Sequence, residues 1–381
     1  MTKHTLDRSG LRTWIEVDTH ALKHNIASLR SAIPSSVKMM AVTKSNAYGH
    51  GLVEFSQHAE ACGVDWIGVD SITEAIALRE GGIKAPVFVL GYTLPEMLPR
   101  AAEHSISLSV STFETLSAIA GTSFSEKLRI HIKVDTGMHR QGFQVHEIDR
   151  VLTALSELGD NVIVEGLFTH FGAAKNPSFQ QRVFAQIMQF EQWVKAFSGA
   201  GIHPLKHVAA SGGAIAFPNS HFDMVRIGIA MYGVYPSKEV SAFSHHTLNL
   251  KPVLSWRTVI GETKRVAKGE RVGYDFTEEL TRDSVLAVCP IGYWHGYPRA
   301  LSSIGVVLVR GAQARVVGRV SMDMIVIDIT DIPEVSVGDV VTLIGADGDE
   351  YIGAETLADK IDMSPYEFIT RLNPLIKRIY R

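Results

Sequence analysis

The chain has 381 residues, a formal net charge of -3 and 20% charged residues. This length suits two domains, or one large barrel with a smaller domain. The near-neutral charge, without any block of like charges, argues against charge-driven binding of nucleic acid or of a membrane surface. No uninterrupted apolar run is long enough to span a bilayer.

The sequence near the N-terminus and the cysteines indicate the cellular compartment in which the protein acts. Residues 1–14 are polar and mixed in charge, without the apolar core of a signal peptide. The only two cysteines, Cys62 and Cys289, lie far apart in mainly apolar surroundings, and we expect both to be reduced. These features predict a cytoplasmic protein.

Strands and helices are predicted to alternate over the first part of the chain. A strand at 13–18 precedes a helix at 21–30. Eight further apolar runs are typical of buried strands, and most are followed by a helical pattern. They lie at 38–42, 66–69, 87–90, 106–110, 128–134, 162–167, 207–210 and 224–229.

Eight such units is the number that closes a (β/α)8 barrel. A doubly wound open sheet is the alternative, but Rossmann-type binding requires a Gly-rich turn directly after the first strand. Lys44 and Tyr48 occupy that turn here. We therefore predict an α/β fold with an N-terminal (β/α)8 TIM-type barrel over residues 1–245. The strand at 13–18 is a candidate for packing on the C-terminal domain instead.

The pattern changes near residue 245, where the helical period largely disappears. Short β-rich runs, separated by Gly and Asp, follow at 253–260, 285–288, 306–309, 315–320, 325–329 and 340–344. Helices are expected near 354–360 and 366–372. Residues 246–381 are therefore predicted to form a mainly β C-terminal domain.

A lysine stands at the end of the first barrel strand, in the stretch Lys-Ser-Asn-Ala-Tyr-Gly-His-Gly that begins at Lys44. Burial disfavours the charged form of a lysine, and a lysine with a lowered pKa can act as a nucleophile and form a Schiff base. Taken alone, Lys44 is better interpreted as a surface residue just beyond a strand.

Other strand ends also carry polar side chains, at the face where such barrels perform chemistry. Lys133 and Arg140 flank a Gly-rich turn and indicate either an anion site or a solvated turn. His170 follows the sixth strand, where a single histidine is more often structural than catalytic.

The last two strands end in a similar way. His207 lies on the seventh strand, and Ser211 with the amides that follow it could hold a phosphate. Arg226 ends the eighth strand and needs a partner, because unpaired burial of its charge is costly. A structural ion pair would satisfy that need equally well.

Taken together, these segments resemble the alanine racemase family of fold-type III pyridoxal-phosphate (PLP) enzymes, over essentially the whole chain. The motifs that carry the resemblance are the Lys44 stretch, Val-Asp-Thr-Gly-Met-x-Arg-x-Gly-Phe, Met-Val-Arg-x-Gly-Ile-Ala-Met-Tyr-Gly, Ile-Gly-Tyr and Gly-Arg-x-Ser-Met-Asp. They are specific in combination, and no single one would suffice.

The resemblance implies a homodimeric isomerase that interconverts L- and D-alanine and supplies D-alanine for peptidoglycan. Lys44 would bind PLP covalently and act as one base. Tyr274 matches the second base, which relatives place in the active site of the partner subunit. Racemisation requires a base on each face of the planar carbanion, and this pair supplies them.

The resemblance also assigns residues to the cofactor. Tyr48, Ser211, Gly228 and Ile229 match phosphate-binding positions. Arg226 would meet the pyridine nitrogen, and because arginine does not readily release its proton, the ring nitrogen would stay unprotonated. The cofactor would then be a weaker electron sink, which suits simple proton exchange.

The polar chain around the second base is implied in the same way. His170 resembles the residue that hydrogen-bonds the catalytic tyrosine, and Arg226 and His207 continue that chain.

Substrate contacts are implied by the remaining motifs. Arg140 would hold the PLP phenolic oxygen or the substrate carboxylate, and Lys133 matches a lysine that relatives carry as a carbamate. Met322 matches a position whose backbone amide contacts the substrate carboxylate. Tyr293 matches an entrance residue contributed by the partner. No metal site, nucleic acid or membrane partner is expected.

Three positions depart from the family pattern. His295 replaces a usual Asp, Ala210 a common Asn, and Pro374 a Tyr found in some relatives. The alternatives are therefore a serine or broad-specificity racemase and, from another class, a non-catalytic PLP-binding protein. A barrel decarboxylase acting on longer amino acids is a weaker option.

Overall fold

The computed structural model describes residues 10–381. Residues 1–9, which form most of the segment used to argue against a signal peptide, lie outside the described residues. Within the described part, no helix combines the length and apolar character needed to cross a membrane. The chain divides into two compact units.

The first unit comprises residues 22–47 and 52–251 and contains a closed barrel of eight parallel strands. Numbering from β1 (Thr13–Val17), the barrel strands are β2 (Lys38–Val42), β3 (Trp66–Val69), β4 (Val87–Val89), β5 (Ile106–Val110), β6 (Leu128–Lys133), β7 (Val162–Phe168), β8 (Leu205–Ala210) and β9 (Met224–Ile227). They pair in chain order, and β9 closes on β2 with Met40 opposite Arg226. The predicted TIM-type barrel is confirmed.

Helices surround this barrel because their apolar sides cover the outward faces of the strands. They are α1 (Thr19–Ser31), α2 (Leu52–Ala61), α3 (Ile72–Glu80), α4 (Leu98–Glu103), α5 (Phe113–Ala120), α6 (Ile148–Ser156), α7 (Gln180–Gly199), α8 (Ser211–Ala216) and α9 (Lys238–Ser244). Several begin at a side-chain cap; the hydroxyls of Ser71, Thr112 and Ser237 each accept a backbone N–H.

The interior of the barrel is filled by rings as well as aliphatic side chains. Phe88 stacks on His131 with ring centroids 4.2 Å apart. Phe168 stacks on His207 with ring centroids 4.8 Å apart and an angle of 4° between the ring planes. All four residues are buried. The barrel core is therefore a packed layer in which polar imidazoles are held between aromatic faces.

The second unit contains the described residues 10–21 together with 48–51 and 252–381. Its strands after the barrel are β10 (Leu254–Val259), β11 (Glu262–Val266), β12 (Arg271–Val272), β13 (Glu278–Glu279), β14 (Ser284–Cys289), β15 (Val306–Val309), β16 (Ala312–Val316), β17 (Ile325–Asp328), β18 (Val340–Asp347), β19 (Glu350–Ile352) and β20 (Lys377–Tyr380). The helices are α10 (Ala354–Asp359) and α11 (Pro365–Thr370). This confirms the predicted mainly β domain.

One large sheet dominates this unit. Its order is β11-β14-β17-β16-β15-β18-β10-β1-β20, with β19 paired to β18. β1 runs antiparallel to β10 and parallel to β20, with Trp14 opposite both Arg257 and Lys377. The structure divides at 251/252, whereas the expected division was at residue 245, and it also assigns residues 48–51 to the second unit. The first strand belongs to the second unit as well, the placement for which it was a candidate from the sequence.

Candidate active site

Lys44 lies just beyond β2, at the C-terminal end of the barrel strands. Its Nζ donates a hydrogen bond to Asp70 Oδ1 at 2.8 Å, and both side chains are partly exposed. Asp70 follows β3, the neighbouring strand. The amine is therefore accessible and held by a carboxylate from the adjacent strand end.

The turn after Lys44 has a left-handed backbone. Ser45, Asn46 and Ala47 have φ values of 55°, 56° and 50°, a conformation that is uncommon for residues with a side chain. Glu74 supports it, because Oε1 accepts the Ser45 N–H at 2.7 Å while Oε2 accepts the Asp70 N–H at 2.9 Å. One carboxylate thus ties the turn to the loop that carries Asp70.

Arg226, at the end of β9, is buried inside the barrel. Its guanidinium donates to the carbonyl oxygens of Thr169, His207 and Val208, each at 2.8 Å, and to ring nitrogens of His207 and His170 at 2.9 and 3.2 Å. Among the described residues, Nε has no such acceptor. The guanidinium is thus fixed in place with one donor unused.

The bonds to Arg226 determine the tautomers of two histidines. A guanidinium only donates, so Nδ1 of His170 and Nδ1 of His207 must be acceptors, and each neutral ring carries its proton on Nε2. Burial, reinforced by the charges of Arg226, Arg140, Lys133 and Lys44, lowers the pKa of His170 to about 3. Burial also lowers the pKa of His207 well below its usual value.

The neighbouring cations also lower one another's pKa values. Burial, and then Arg140, Arg226 and Lys44, lower the pKa of Lys133 to about 8. Burial, and then Arg140, lower the pKa of Arg226 to about 9. Such mutual repulsion is tolerable if an anion binds between these groups.

A small cavity opens beside these cations. It is lined by Lys133, Val134, Asp135, Met138, Arg140, Gln141, Thr169 and His170. Lys133 is buried, and its Nζ donates to Gln141 Oε1 at 2.8 Å. The cavity therefore brings Lys133, Arg140 and His170 together.

The ends of β8 and β9 form a close-packed backbone segment. Buried Ser211 accepts the Gly228 N–H through Oγ at 2.9 Å, and Ile229 follows directly. A Cβ on Gly212 would lie 2.7 Å from the carbonyl oxygen of Ala174, so the backbone there admits no side chain. Hydroxyl and amide groups in such a segment are the usual partners of a phosphate.

This donor set fits PLP. Lys44 offers an amine for the aldehyde, Arg226 offers its unused Nε–H to a ring nitrogen, and Ser211 and its neighbours suit the phosphate. The structure therefore brings the predicted barrel residues to one end of the barrel.

The other predicted residues belong to the second unit. Tyr274 is 69% exposed and follows Gly273, whose φ is 78°. Tyr293 and Met322 are also exposed, and the segments that carry them are joined by hydrogen bonds from Tyr293 N to the Ser321 carbonyl and from Trp294 N to the Met322 carbonyl, both 3.0 Å long. The Tyr48 ring lies 6.1 Å from that of Tyr366.

His295, one of the three departures from the family pattern, is buried. Its Nδ1 accepts the Gly292 N–H at 3.2 Å, and burial lowers its pKa. This neutral ring organises its own loop rather than presenting a cation at a surface.

Four functional candidates were missed at the sequence level: Asp70, Glu74, His131 and Glu165. In β6, the side chains of Arg129, His131 and Lys133 alternate with Ile130 and Ile132. Alternate residues of a strand share a face, so this pattern could have indicated a polar row.

Two family models match the chain: "Alanine racemase, N-terminal domain" over residues 17–236 and "Alanine racemase, C-terminal domain" over residues 253–380. Among curated proteins, the alanine racemase of Symbiobacterium thermophilum is 38% identical over 98% of this chain and 99% of its own. The alanine racemase of Methanococcus maripaludis is 38% identical over 96% and 98%.

Solved structures agree with these sequence matches. Alanine racemase from Clostridium difficile 630 has a TM-score of 0.91 at 33% identity and covers 97% of this chain and 96% of its own. Alanine racemase from Bacillus anthracis, solved with bound L-Ala-P, has a TM-score of 0.90 at 36% identity and covers 97% and 95%.

Proposed function

The chain belongs to the alanine racemase family of isomerases, and we propose that it interconverts L- and D-alanine by a two-base mechanism. Lys44 is one base, and Tyr274 of a partner subunit is the other. The observation that supports this most is that Lys133 and Arg140 line one small cavity with His170, which Arg226 contacts through a hydrogen bond. This group of cations suits an anionic cofactor and an amino-acid carboxylate.

PLP is the proposed cofactor. When bound, it withdraws electrons from the substrate α-carbon and so acidifies the α-proton. Lys44 holds it covalently, Tyr48, Ser211, Gly228 and Ile229 hold its phosphate, and Arg226 donates to its ring nitrogen. Arg226 stays protonated near neutral pH even with a pKa of about 9. It therefore hydrogen-bonds the ring nitrogen without transferring a proton to it.

The two bases act on opposite faces of the substrate. The amine of Lys44 takes or returns the α-proton on one face, and the phenolic oxygen of the partner's Tyr274 does so on the other. His170, a neutral donor through Nε2, hydrogen-bonds that phenolic oxygen and stabilises it when it has lost its proton. Arg226 fixes His170 in the tautomer that this role requires.

Arg140, Met322 and Tyr293 complete the substrate site. Arg140 holds the substrate carboxylate or the phenolic oxygen of the cofactor, the Met322 amide contacts the carboxylate, and the partner's Tyr293 lines the entrance. Lys133 orients Arg140 as a carbamate. The lowered pKa of Lys133 favours this, because only a neutral amine reacts with carbon dioxide.

The roles of Tyr274 and Tyr293 require a homodimer with shared active sites. We place this enzyme in the cytoplasm, where the D-alanine that it forms would serve peptidoglycan synthesis. A serine or broad-specificity racemase is the main alternative, since the preference depends on pocket volume. A non-catalytic PLP-binding barrel is less compatible, because such barrels lack a β domain like the one present here.

A direct assay tests the proposal. Purified protein with PLP is incubated with L-alanine or with L-serine, and the D-enantiomer is followed by chiral chromatography. Rapid D-alanine formation with little D-serine is expected. Equal or greater D-serine formation would move the assignment to a serine or broad-specificity racemase. Bound PLP without either product would favour the binding-protein alternative.

A further inference from the structure

We infer that His131 and Glu165 are positioning residues for Arg226, which they reach through His207. They form the distal half of a hydrogen-bonded chain that crosses the barrel interior from the cofactor side to a carboxylate. The inference rests on the proposed function in that Arg226 is assigned to the cofactor. The chain itself is a property of the protein without ligand.

The donors in this chain all point the same way. Arg226 donates to Nδ1 of His207 at 2.9 Å, so the proton of His207 lies on Nε2. That nitrogen lies 2.8 Å from Nδ1 of His131, which must therefore accept. The proton of His131 then lies on Nε2, 3.3 Å from Oε2 of Glu165, which accepts it as a carboxylate.

Glu165 is held as the final acceptor of the chain. Ser107 Oγ donates to its Oε2, and Arg129 donates to its Oε1 at 2.9 Å. Burial alone would raise the pKa of Glu165, but hydrogen bonds from His131 and Ser107 keep that pKa below its usual value. Its negative charge is therefore retained, and every donor of the chain points towards it.

Packing holds the two imidazoles in register. Both rings are fully buried; that of His131 stacks on Phe88, and that of His207 stacks on Phe168. Gly166 makes room for His131, because a Cβ at that position would lie 2.1 Å from Nδ1. The pairing of β6 with β7 also shifts register between Ile130 and His131. The fold therefore accommodates this one histidine through both a missing side chain and a strand irregularity.

The consequence is a fixed guanidinium. Arg226 is buried, and within residues 10–381 no carboxylate is among its direct hydrogen-bond partners, which would ordinarily be costly. The two neutral imidazoles polarise towards Glu165 and so relay part of its negative charge to the arginine. If Glu165 lost its charge, this polarisation would weaken, and Nδ1 of His207 would become a poorer acceptor for Arg226.

The test is nitrogen NMR of the full-length protein labelled with 15N-histidine, recorded with and without PLP at pH 7. His131 and His207, assigned by comparison with single His→Gln variants, are expected to be neutral with the proton on Nε2. A proton on Nδ1 of either ring, or a doubly protonated ring, would overturn the inference.

Two variants then test the effect on Arg226. Glu165→Gln removes the charge and keeps the shape; it should shift the His207 ring signals and lower kcat at least 10-fold, with a smaller change in the KM for alanine. Arg129→Met is the matched control, because it removes another Glu165 partner but leaves the bond to His131. It should leave the His207 signals in place and change kcat less than threefold.

The outcomes separate this inference from the proposed function. Unchanged His207 signals and kcat in Glu165→Gln would refute the positioning role even in an active racemase. A protein with the expected tautomers but no racemase activity would refute the proposed function and still support the chain.

Discussion

Lys44 Nζ donates a 2.8 Å hydrogen bond to Asp70 Oδ1, and this pair joins the ends of two adjacent barrel strands. The proposed covalent bond to PLP uses the same nitrogen. Under that proposal, Asp70 would compete with the cofactor for the amine and would hydrogen-bond the amine again once the cofactor is released.

Replacing Asp70 with Asn should speed capture of PLP by Lys44. Partly exposed ion pairs contribute up to about 1 kcal/mol, which corresponds to an increase of up to about fivefold. The rate of PLP capture is measured by adding a limiting concentration of PLP to the apoprotein and trapping the lysine-bound cofactor with borohydride at successive times. Asp65→Asn is the control, because Asp65 Oδ2 accepts the Met39 N–H at the opposite end of the same strand pair. Slower capture in Asp70→Asn alone would show that the carboxylate positions the amine instead of competing for it.

Ser211→Ala should weaken cofactor binding. The Gly228 N–H would lose its 2.9 Å acceptor in a buried segment, and leaving such a group unpaired costs about 1–3 kcal/mol. We expect the Kd for PLP, from fluorescence titration of apoprotein, to rise about 10-fold. Ser220→Ala removes a comparable buried hydroxyl, which donates to the Phe217 carbonyl at 2.7 Å, and should leave the Kd unchanged. Equal Kd changes in the two variants would argue against a phosphate site at Ser211.

Lys133 should make stability rise with pH in the alkaline range. Its folded pKa of about 8 lies below the ordinary lysine pKa of 10.5, so between these values the unfolded state binds the extra proton and stability increases with pH. The destabilisation present below pH 8 is removed as the pH passes 10.5, and it amounts to at most about 3 kcal/mol.

Chemical denaturation of wild type and Lys133→Met in carbonate-free buffer measures this difference. The stability of wild type relative to the variant should increase from pH 8 to pH 10, whereas Lys127→Met controls for loss of an exposed amine. A pH-independent difference between wild type and Lys133→Met would mean that burial does not perturb Lys133.

Gly166→Ala should destabilise the barrel. The new methyl would lie 2.1 Å from Nδ1 of His131, whose ring is confined by Phe88. Overpacking of this kind costs about 1–3 kcal/mol. Gly199→Ala is the control, since no atom lies within 4 Å of its added methyl and alanine favours the helix that ends there. Thermal unfolding of both variants checks this, and an unchanged Tm in Gly166→Ala would show that His131 can move aside.

The barrel was predictable because buried parallel strands are nearly continuous apolar runs, as at Val87–Val89 and Met224–Ile227. The β domain was predictable from short runs bounded by Gly and Asp. The boundary was less predictable, because residues 48–51 join the second unit from within the barrel sequence, and no local pattern marks such a segment.

The site was predictable where a motif carries the chemistry in one segment, as at Lys44 and Ser211. It was not predictable where two segments meet. Asp70 accepts a hydrogen bond from Lys44, 26 residues earlier, and Glu74 accepts one from Ser45, 29 residues earlier. Glu165 on β7 contacts His131 on the neighbouring strand β6. The left-handed turn at 45–47 also gives no local signal, because no glycine marks it.

Exchange of the α-proton in Tyr274→Phe tests the two-base proposal most directly. Each alanine enantiomer is incubated separately in D2O with the PLP-loaded protein, and incorporation of deuterium is followed by NMR. The wild type should exchange both enantiomers. The variant should exchange one, through Lys44, at a rate near that of wild type, and the other at least about 100-fold more slowly. Equal and small losses for both enantiomers would contradict the assignment of Tyr274 as the second base.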